Sequence, residues 1–383
     1  MNIGVIIESN PFHNGHKYLI DYIKNNFNPD CITTITSTSF NMRGEISPIT
    51  KFDKVNYLLQ GGANLVLELP SILALHSADL FAFNAVKILK GINVTDIVCG
   101  CETDDIRQIE KLVEITSSKT FDDILLSFIK DKKYSYKNAS LLALEKMNID
   151  QELINLFTLP NATLAITYLK AIKLLNSSIK LHLVKRIKVD YNSTETNGQF
   201  ASATSIRNKL LNNEQVNNFI PFEQKFIDLN KAIDKYYDLI KYRLLVNNPN
   251  NNQISNINEG IDNYIINNGD LNSNYETFIN NLSNKKYTKN RIQRTIFHLL
   301  LNTPNNFSYE NYIRVLGFDN LGMKYLNMLP KDIKNTVFSS PKENNAIENN
   351  LVLQYELKTT RLFEILSNQD LYIKEFQLPI RKE

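Results

Sequence analysis

The chain opens on a continuous apolar run, Ile3 to Ile7 (IGVII), then a polar loop, then Leu19, Tyr22 and Ile23 at helical spacing. A run without alternation suits a strand buried on both faces, because a half-exposed strand would alternate apolar and polar residues. The same rhythm then repeats. Cys31 to Thr36 is β-branched and strand-like, and Leu65-Val66-Leu67-Glu68-Leu69 is stopped by Pro70. Ala78, Phe81, Ala82, Ala85, Val86 and Leu89 fall at i, i+3, i+4, i+7, i+8 and i+11, the stripe of a helix that buries one face. Gly91 closes that helix and Thr95 to Cys99 reads as another buried strand, ending at Gly100. Helical patterns fill 104–147 and 163–175, and a last strand lies near 179–187. Parallel strands need crossover connections and helices supply them, so the expected class is α/β, a Rossmann-like parallel sheet with helices on both faces over 1–215.

From about Phe222 onward no clean strand pattern is visible until the last thirty residues. Ile233, Tyr236, Tyr237 and Ile240 repeat at helical spacing, as do Ile292, Ile296, Leu299 and Leu300, so 216–383 is expected to form a mainly α-helical C-terminal domain. Between these helices Val246–Asn258 carries seven asparagines in thirteen residues; 247–258 is expected to be a flexible loop, having little to bury. No internal repeat is visible. Lys and Arg number 43 against 40 Asp and Glu, so binding of nucleic acid would have to come from a local patch. Three cysteines (Cys31, Cys99, Cys101) make neither a disulfide framework nor a good zinc site, which fits a reduced, cytoplasmic protein. The sequence contains no apolar run of ~18 residues to span a membrane, and its start lacks the basic and greasy segments of a signal peptide.

The strongest chemical signal follows the first strand: Asn10-Pro11-Phe12-His13-Asn14-Gly15-His16, then a helix. His-x-Gly-His in this position is the adenylyl-transfer signature of the HIGH nucleotidyltransferase group of α/β folds. Open parallel sheets bind ligands at the carboxyl ends of their strands, and a helix N-terminus there offers free N–H groups and a positive dipole to phosphate. Gly15 lets backbone approach nucleotide closely. Two imidazoles three residues apart point the same way and can hydrogen-bond phosphate oxygens as charge builds at the α-phosphorus. His13 and His16 are therefore the candidate catalytic residues, whereas His76, His182 and His298 read as structural or surface histidines. A second signal is Ser202-Ala203-Thr204-Ser205-Ile206-Arg207, in which hydroxyls open a helix and an arginine follows in its first turns. Capping oxygens, free N–H groups and a guanidinium fork together suit an anion. Ser202, Thr204 and Arg207 are the expected grip on the β,γ-phosphates or departing pyrophosphate.

The blocks GVIIESNPFHNGHKYLI, NMRGE (41–45), NLVLELP (64–70), HSADLFAFNAVKIL (76–89), VCGCE (98–102), LPNATLAITYLKAI (159–172), KRIKVDY (185–191), SATSIR (202–207), KKYTKNRIQR (285–294) and YIRVLGF (312–318) resemble, in order, those of the bacterial tRNA(Met) cytidine acetate ligases. That resemblance implies two steps. Acetate and ATP give acetyl-adenylate and pyrophosphate, and the acetyl group then passes to the wobble cytidine of elongator tRNA(Met), forming N(4)-acetylcytidine. It also implies an ATP-binding loop at Ile7-Glu8-Ser9-Asn10-Pro11-Phe12-His13-Asn14-Gly15-His16-Lys17-Tyr18-Leu19-Ile20, with further nucleotide contacts at Gly100, Asn161 and Arg186. Physical sense can be given to each. Gly100 ends a strand and leaves room for adenine or ribose, Asn161 follows Pro160 where its amide can cap a helix or hydrogen-bond the ligand, and Arg186 can neutralise phosphate.

The chain departs from the family pattern in places. Thr38-Ser39-Phe40-Asn41-Met42-Arg43-Gly44-Glu45 stands where Gly-Asn-Phe-Val-Gln-Arg-Gly-Glu is usual, Cys99-Gly100-Cys101-Glu102 replaces Phe-Gly-Ser-Glu, and Lys188-Val189-Asp190 replaces a glycine-rich stretch. The ATP elements are better kept than the neighbouring positions that could shape an acyl pocket. For tRNA the candidate patch is Lys285, Lys286, Tyr287, Lys289, Arg291 and Arg294, with no acidic residue between them and with Tyr287 available to stack on an unpaired base. No carboxylate cluster announces a metal site, so Mg²⁺ is expected to arrive with ATP. Two alternatives are a nucleotidyltransferase that adenylates another small acceptor and an inactive relative that binds tRNA or nucleotide without turnover.

Overall fold

The computed structural model describes residues 1–130, 134–186, 198–246, 253–305, 312–342 and 350–383. Its centre is an eight-stranded sheet built from β1 (Asn2–Ile6), β2 (Cys31–Ser37), β3 (Leu65–Leu69), β4 (Asp96–Cys101), β5 (Lys180–Lys185), β6 (Ile313–Phe318), β7 (Val337–Phe338) and β8 (Ile380–Arg381). The order is β5-β4-β1-β2-β3-β6-β7, with β8 also paired to β6. The first five strands are mutually parallel. Period-2 alternation supplies both faces. Ile3, Val5, Ile32, Val66 and Val98 enter one core, while Ile35, Leu65, Leu67 and Ile97 enter the other. The helix Ala78–Gly91 covers the second face, with Phe81, Ala82, Ala85, Val86 and Leu89 at most 2% exposed.

The connection from β1 runs through β2 to β3, and the chain then returns to the other side of β1 as β4. This reversal opens a crevice beyond the carboxyl ends of β1 and β4, where doubly wound sheets bind ligands. The loop 7–13, Gly100 and the residue after β5 all converge there.

The second half contributes more than helices. Helices span Leu229–Leu245 and Lys289–Leu301 as the periodicity requires. However, β6 joins the sheet antiparallel to β3, pairing Leu65 with Phe318, Val66 with Gly317 and Leu67 with Val315. The strand was hidden because Arg314 and Gly317 interrupt its apolar run, and a fully buried arginine is not expected in a strand. Arg314 is 2% exposed and neutralised by Glu68 and Glu375. A further helix spans Gln151–Thr158, where no helix is expected from the periodicity, and 104–130 is divided at Ser117-Ser118 into Ile106–Thr116 and Lys119–Lys130. Of the asparagine-rich segment, 247–252 lies outside the described residues. In the remainder Ile254 and Ser255 are buried at 6% exposure, and Ile254 bridges to Pro304.

Candidate active site

The helix Asn14–Phe27 starts at the mouth of this crevice, with His13 as its N-cap. His13 Nδ1 accepts the Gly15 N–H at 3.1 Å, and His16 Nδ1 accepts the His13 N–H at 3.3 Å, a reciprocal cap built from two imidazoles. The rings stack with centroids 3.7 Å apart and planes 19° from parallel. Burial, followed by the cations Arg186 and Arg207, lowers His13 to about 3. Burial, His13 and Arg186 hold His16 well below its usual value. Both rings are thus neutral near pH 7. With Nδ1 accepting in each, the proton sits on Nε2, and each ring can donate to a ligand oxygen.

Fifteen of the expected ATP-site residues line one cavity of about 230 Å³: Ile7, Glu8, Ser9, Asn10, His13, Gly15, His16, Tyr18, Leu19, Gly100, Asn161, Arg186, Ser202, Thr204 and Arg207. Five do not, because loop and helix turn them elsewhere. Phe12 is fully buried beneath the loop and stacks on Phe222 at 5.6 Å, beside buried Pro11. Ile20 is in the core, and Lys17 pairs with Asp21 at 2.5 Å. Asn14 donates to the carbonyls of Gln199 (2.7 Å) and Asn218 (3.0 Å), which ties the motif to the segments on either side of the helix Ala203–Leu211.

Asn161 is not the cap of its helix. Pro160–Leu174 begins one residue earlier, and the N-terminal amides of Asn161 and Ala162 are received by Glu102 at 3.1 and 2.7 Å. The Asn161 side chain instead bridges Glu102 Oε1 (2.7 Å) and Arg186 (2.9 Å). Glu102 is therefore the residue that orders this wall, and its place next to Gly100 in the VCGCE block was the available signal. The Ser202 side chain does cap Ala203–Leu211, accepting the Ser205 N–H. Arg207 is 7% exposed and is not a loose fork. It donates to the Asn10 carbonyl (2.9 Å), to Glu45 (2.6 Å) and to Thr204 Oγ1 (3.2 Å), locking three loops around the cavity. Arg43, which was not singled out as a ligand, also lines the cavity and donates to Thr204 Oγ1 at 3.3 Å. Ser9 Oγ and both polar atoms of the Asn10 amide line this wall, buried and without hydrogen-bond partners among the described residues.

The basic segment meets the same site from outside. Lys285 and Lys289 are exposed and Lys286 is half-buried. Tyr287 cannot stack on a base here. It is 4% exposed, its hydroxyl donates to the Glu259 carbonyl at 2.7 Å, and Tyr264 packs on its ring. Arg291 is paired with Glu259 at 3.1 Å, an acidic neighbour brought in from outside the segment. Arg294 reaches the Met42 carbonyl at 3.4 Å, while its Nε is buried without a partner among the described residues. Gly44 makes that approach possible. At φ +84° a Cβ would lie 2.8 Å from the Arg294 backbone nitrogen and from the Gln293 carbonyl carbon. Gly44→Ala should therefore cost on the order of 1–3 kcal/mol of stability and reduce turnover, as thermal unfolding and activity measured on one preparation would check. An unchanged melting temperature would count against this packing.

The HIGH Nucleotidyl Transferase family model matches residues 1–377. A protein of Thermosipho africanus named tRNA(Met) cytidine acetate ligase is 34% identical over 377 residues, covering 93% of this chain and 88% of that one. Its namesake in Clostridium botulinum is 31% identical, covering 96% and 95%. The chain belongs to the tRNA(Met) cytidine acetate ligase family. A crystal structure of Thermotoga maritima TmcAL in apo form superposes with a TM-score of 0.87 at 24% identity, and one with alpha-thio ATP superposes at 0.85 and 23%, each covering 100% of both chains. The expected fold class, a nucleotidyltransferase-type parallel sheet carrying many helices, therefore holds for the family and for this chain alike.

Proposed function

We propose that the chain is an ATP-dependent ligase that activates acetate as acetyl-adenylate and acetylates the wobble cytidine of elongator tRNA(Met) in the cytoplasm. The observation that carries the reading is the stacked, neutral pair His13 and His16 at a helix N-terminus on the carboxyl edge of β1, facing Arg186 across the cavity. In the first step an acetate oxygen attacks the α-phosphorus, and the bond to the bridging oxygen of the β-phosphate breaks. Pyrophosphate then leaves with the electron pair. The two Nε2–H donors stabilise charge on the α-phosphoryl oxygens, and Arg186, Arg207, Thr204 and the Ser202 turn hold the rest of the triphosphate.

The acyl end fits a small acid. Ser9 and Asn10 offer unpartnered hydrogen-bonding atoms, and Phe81, Leu164 and Tyr168 supply an apolar wall. Among the described residues no group of three His, Cys, Asp or Glu is placed to hold a metal ion, and Mg²⁺ is taken to arrive with the nucleotide. Lys285, Lys286, Lys289, Arg291 and Arg294 are the cations this reading assigns to the tRNA backbone. Lys289 acts electrostatically on Glu45 and Arg294 touches Met42, so that face adjoins the cleft. No helix among the described residues is long and apolar enough to cross a membrane.

The test is exchange of labelled pyrophosphate into ATP, with and without acetate, before any tRNA is added. Acetate-dependent exchange is expected. Exchange with another acceptor but not with acetate would replace the ligase reading with an adenylyltransferase. Failure of both exchange and tRNA acetylation with ATP still bound would favour the inactive relative.

A further inference from the structure

Acetyl transfer to an amine releases a proton, and the cleft has to accept it. Among the described residues lining the cavity, Glu8 is the single carboxylate. It follows β1, and its Oε1 accepts the Met42 N–H at 2.6 Å, which fixes the side chain while the carboxylate remains part of the cavity wall. The other groups there are committed. His13 and His16 carry their protons on Nε2 and use Nδ1 for backbone N–H groups. Tyr168 and Cys99 are held protonated by burial, well above their ordinary values. Lys54, which burial lowers to about 7, does not line the cavity; its Nζ donates to the carbonyls of Glu8 (3.1 Å), Ser37 (3.0 Å) and Thr38 (2.7 Å) and so anchors the loop that carries Glu8.

We propose that Glu8 is the general base of the acetyl-transfer step, taking the proton lost by the exocyclic amine of cytosine as that nitrogen attacks the acyl carbon. The inference rests on the ligase reading above. The N4–carbon bond forms, the bond from the acyl carbon to the phosphate oxygen of AMP breaks, and AMP leaves with that electron pair. The N4 proton passes to the Glu8 carboxylate and from there to solvent. Tyr168, Lys54, Arg43 and Arg207 are the titratable and charged groups facing Glu8. The three cations oppose burial, which is the larger influence and raises the Glu8 carboxyl above its usual range, toward the strength a base needs near neutral pH.

Glu8→Gln keeps an oxygen for the Met42 N–H and removes only the basic site. The two half-reactions are measured separately, as acetate-dependent pyrophosphate exchange without tRNA and as single-turnover acetyl transfer to unmodified elongator tRNA(Met) transcript. Glu8 also lines the nucleotide cavity, so exchange is expected to fall too, but transfer should fall at least ~10²-fold further than exchange. The wild-type transfer rate should decline as pH drops through the raised Glu8 range, because only the carboxylate accepts a proton, and Glu8→Gln should lose that limb. Glu8→Asp, which keeps a carboxylate, should restore part of the transfer. Equal loss of both half-reactions, or an unaltered pH limb in Glu8→Gln, would overturn the role of Glu8 alone. Wild-type enzyme silent in both half-reactions would overturn the ligase reading itself.

Discussion

Changing His13 to Asn together with His16 to Ala should lower acetate-dependent adenylation by more than ~10³-fold while ATP affinity changes by less than about tenfold. The magnitude follows from removing two donors aimed at developing phosphoryl charge, each of the kind whose loss costs ~10²–10³ in kcat. The choice of Asn at 13 separates structure from chemistry. His13 caps the helix Asn14–Phe27, and Asn is among the best N-caps, so that variant keeps the cap and loses the Nε2–H. His13→Ala would lose both and cost about 1 kcal/mol of stability as well. A pH profile adds an independent check. His13 is depressed to about 3 and His16 also lies well below its usual value, so both rings are neutral Nε2–H donors at neutral pH, and only strong acidification would add a proton to Nδ1 and break the caps that it accepts. No histidine limb should appear in the adenylation rate between ~pH 5 and ~9. A limb near the ordinary histidine value that vanishes in the variant would show that the imidazoles act as acids. Equal loss of ATP binding and turnover would make them ground-state ligands.

What the sequence made legible was local. The first strand, the loop and the helix are consecutive, so hydrophobic period and His-x-Gly-His spacing sufficed to place His13 and His16 at a helix N-terminus, and they stand there. The Ser202 cap was legible for the same reason. Contacts between distant segments were not. Arg207 reaches Glu45 across 162 positions, and Glu102 receives the amides of a helix that begins 58 residues later. Tyr287 looked available because its own neighbours are basic, yet Tyr264 and Glu259 enclose it from another segment. β6 was missed because a buried strand is recognised by unbroken apolar character, and Arg314 breaks it. In each case the deciding partner is remote, and a single sequence carries no record of that pairing.

The same arginine supports the largest stability prediction. Lys51 lies 2.8 Å from Glu68, 3.2 Å from Glu356 and 2.5 Å from Glu375, and Arg314 lies 3.3 Å from Glu68 and 2.8 Å from Glu375, with all five side chains at most 2% exposed. Tyr312 donates to Glu68, Thr360 to Glu375 and the Ser71 N–H to Glu356, so the carboxylates that join β3 to the C-terminal helix Leu351–Ser367 are densely hydrogen-bonded. Removing one partner of such a cluster leaves uncompensated buried charge, and Arg314→Met should cost about 3–5 kcal/mol. The exposed pair Arg107–Asp105 is the contrast: at 2.9 Å it is as short, but the Arg107 side chain is 84% exposed, and Arg107→Met should leave the unfolding midpoint unchanged. The pH dependence has a definite sign. Burial and the neighbouring Glu68 and Glu375 push Glu356 up to about 7. A carboxyl raised in the folded state binds more protons folded than unfolded, so its contribution is fullest below the ordinary carboxylate range and is lost as pH rises toward about 7. Arg314→Met leaves three carboxylates facing one ammonium, which steepens that loss. Urea unfolding at pH 6 and pH 8 should therefore find the variant more destabilised at pH 8 than at pH 6. A deficit equal at both values would mean that Arg314 stabilises the sheet by packing rather than by charge.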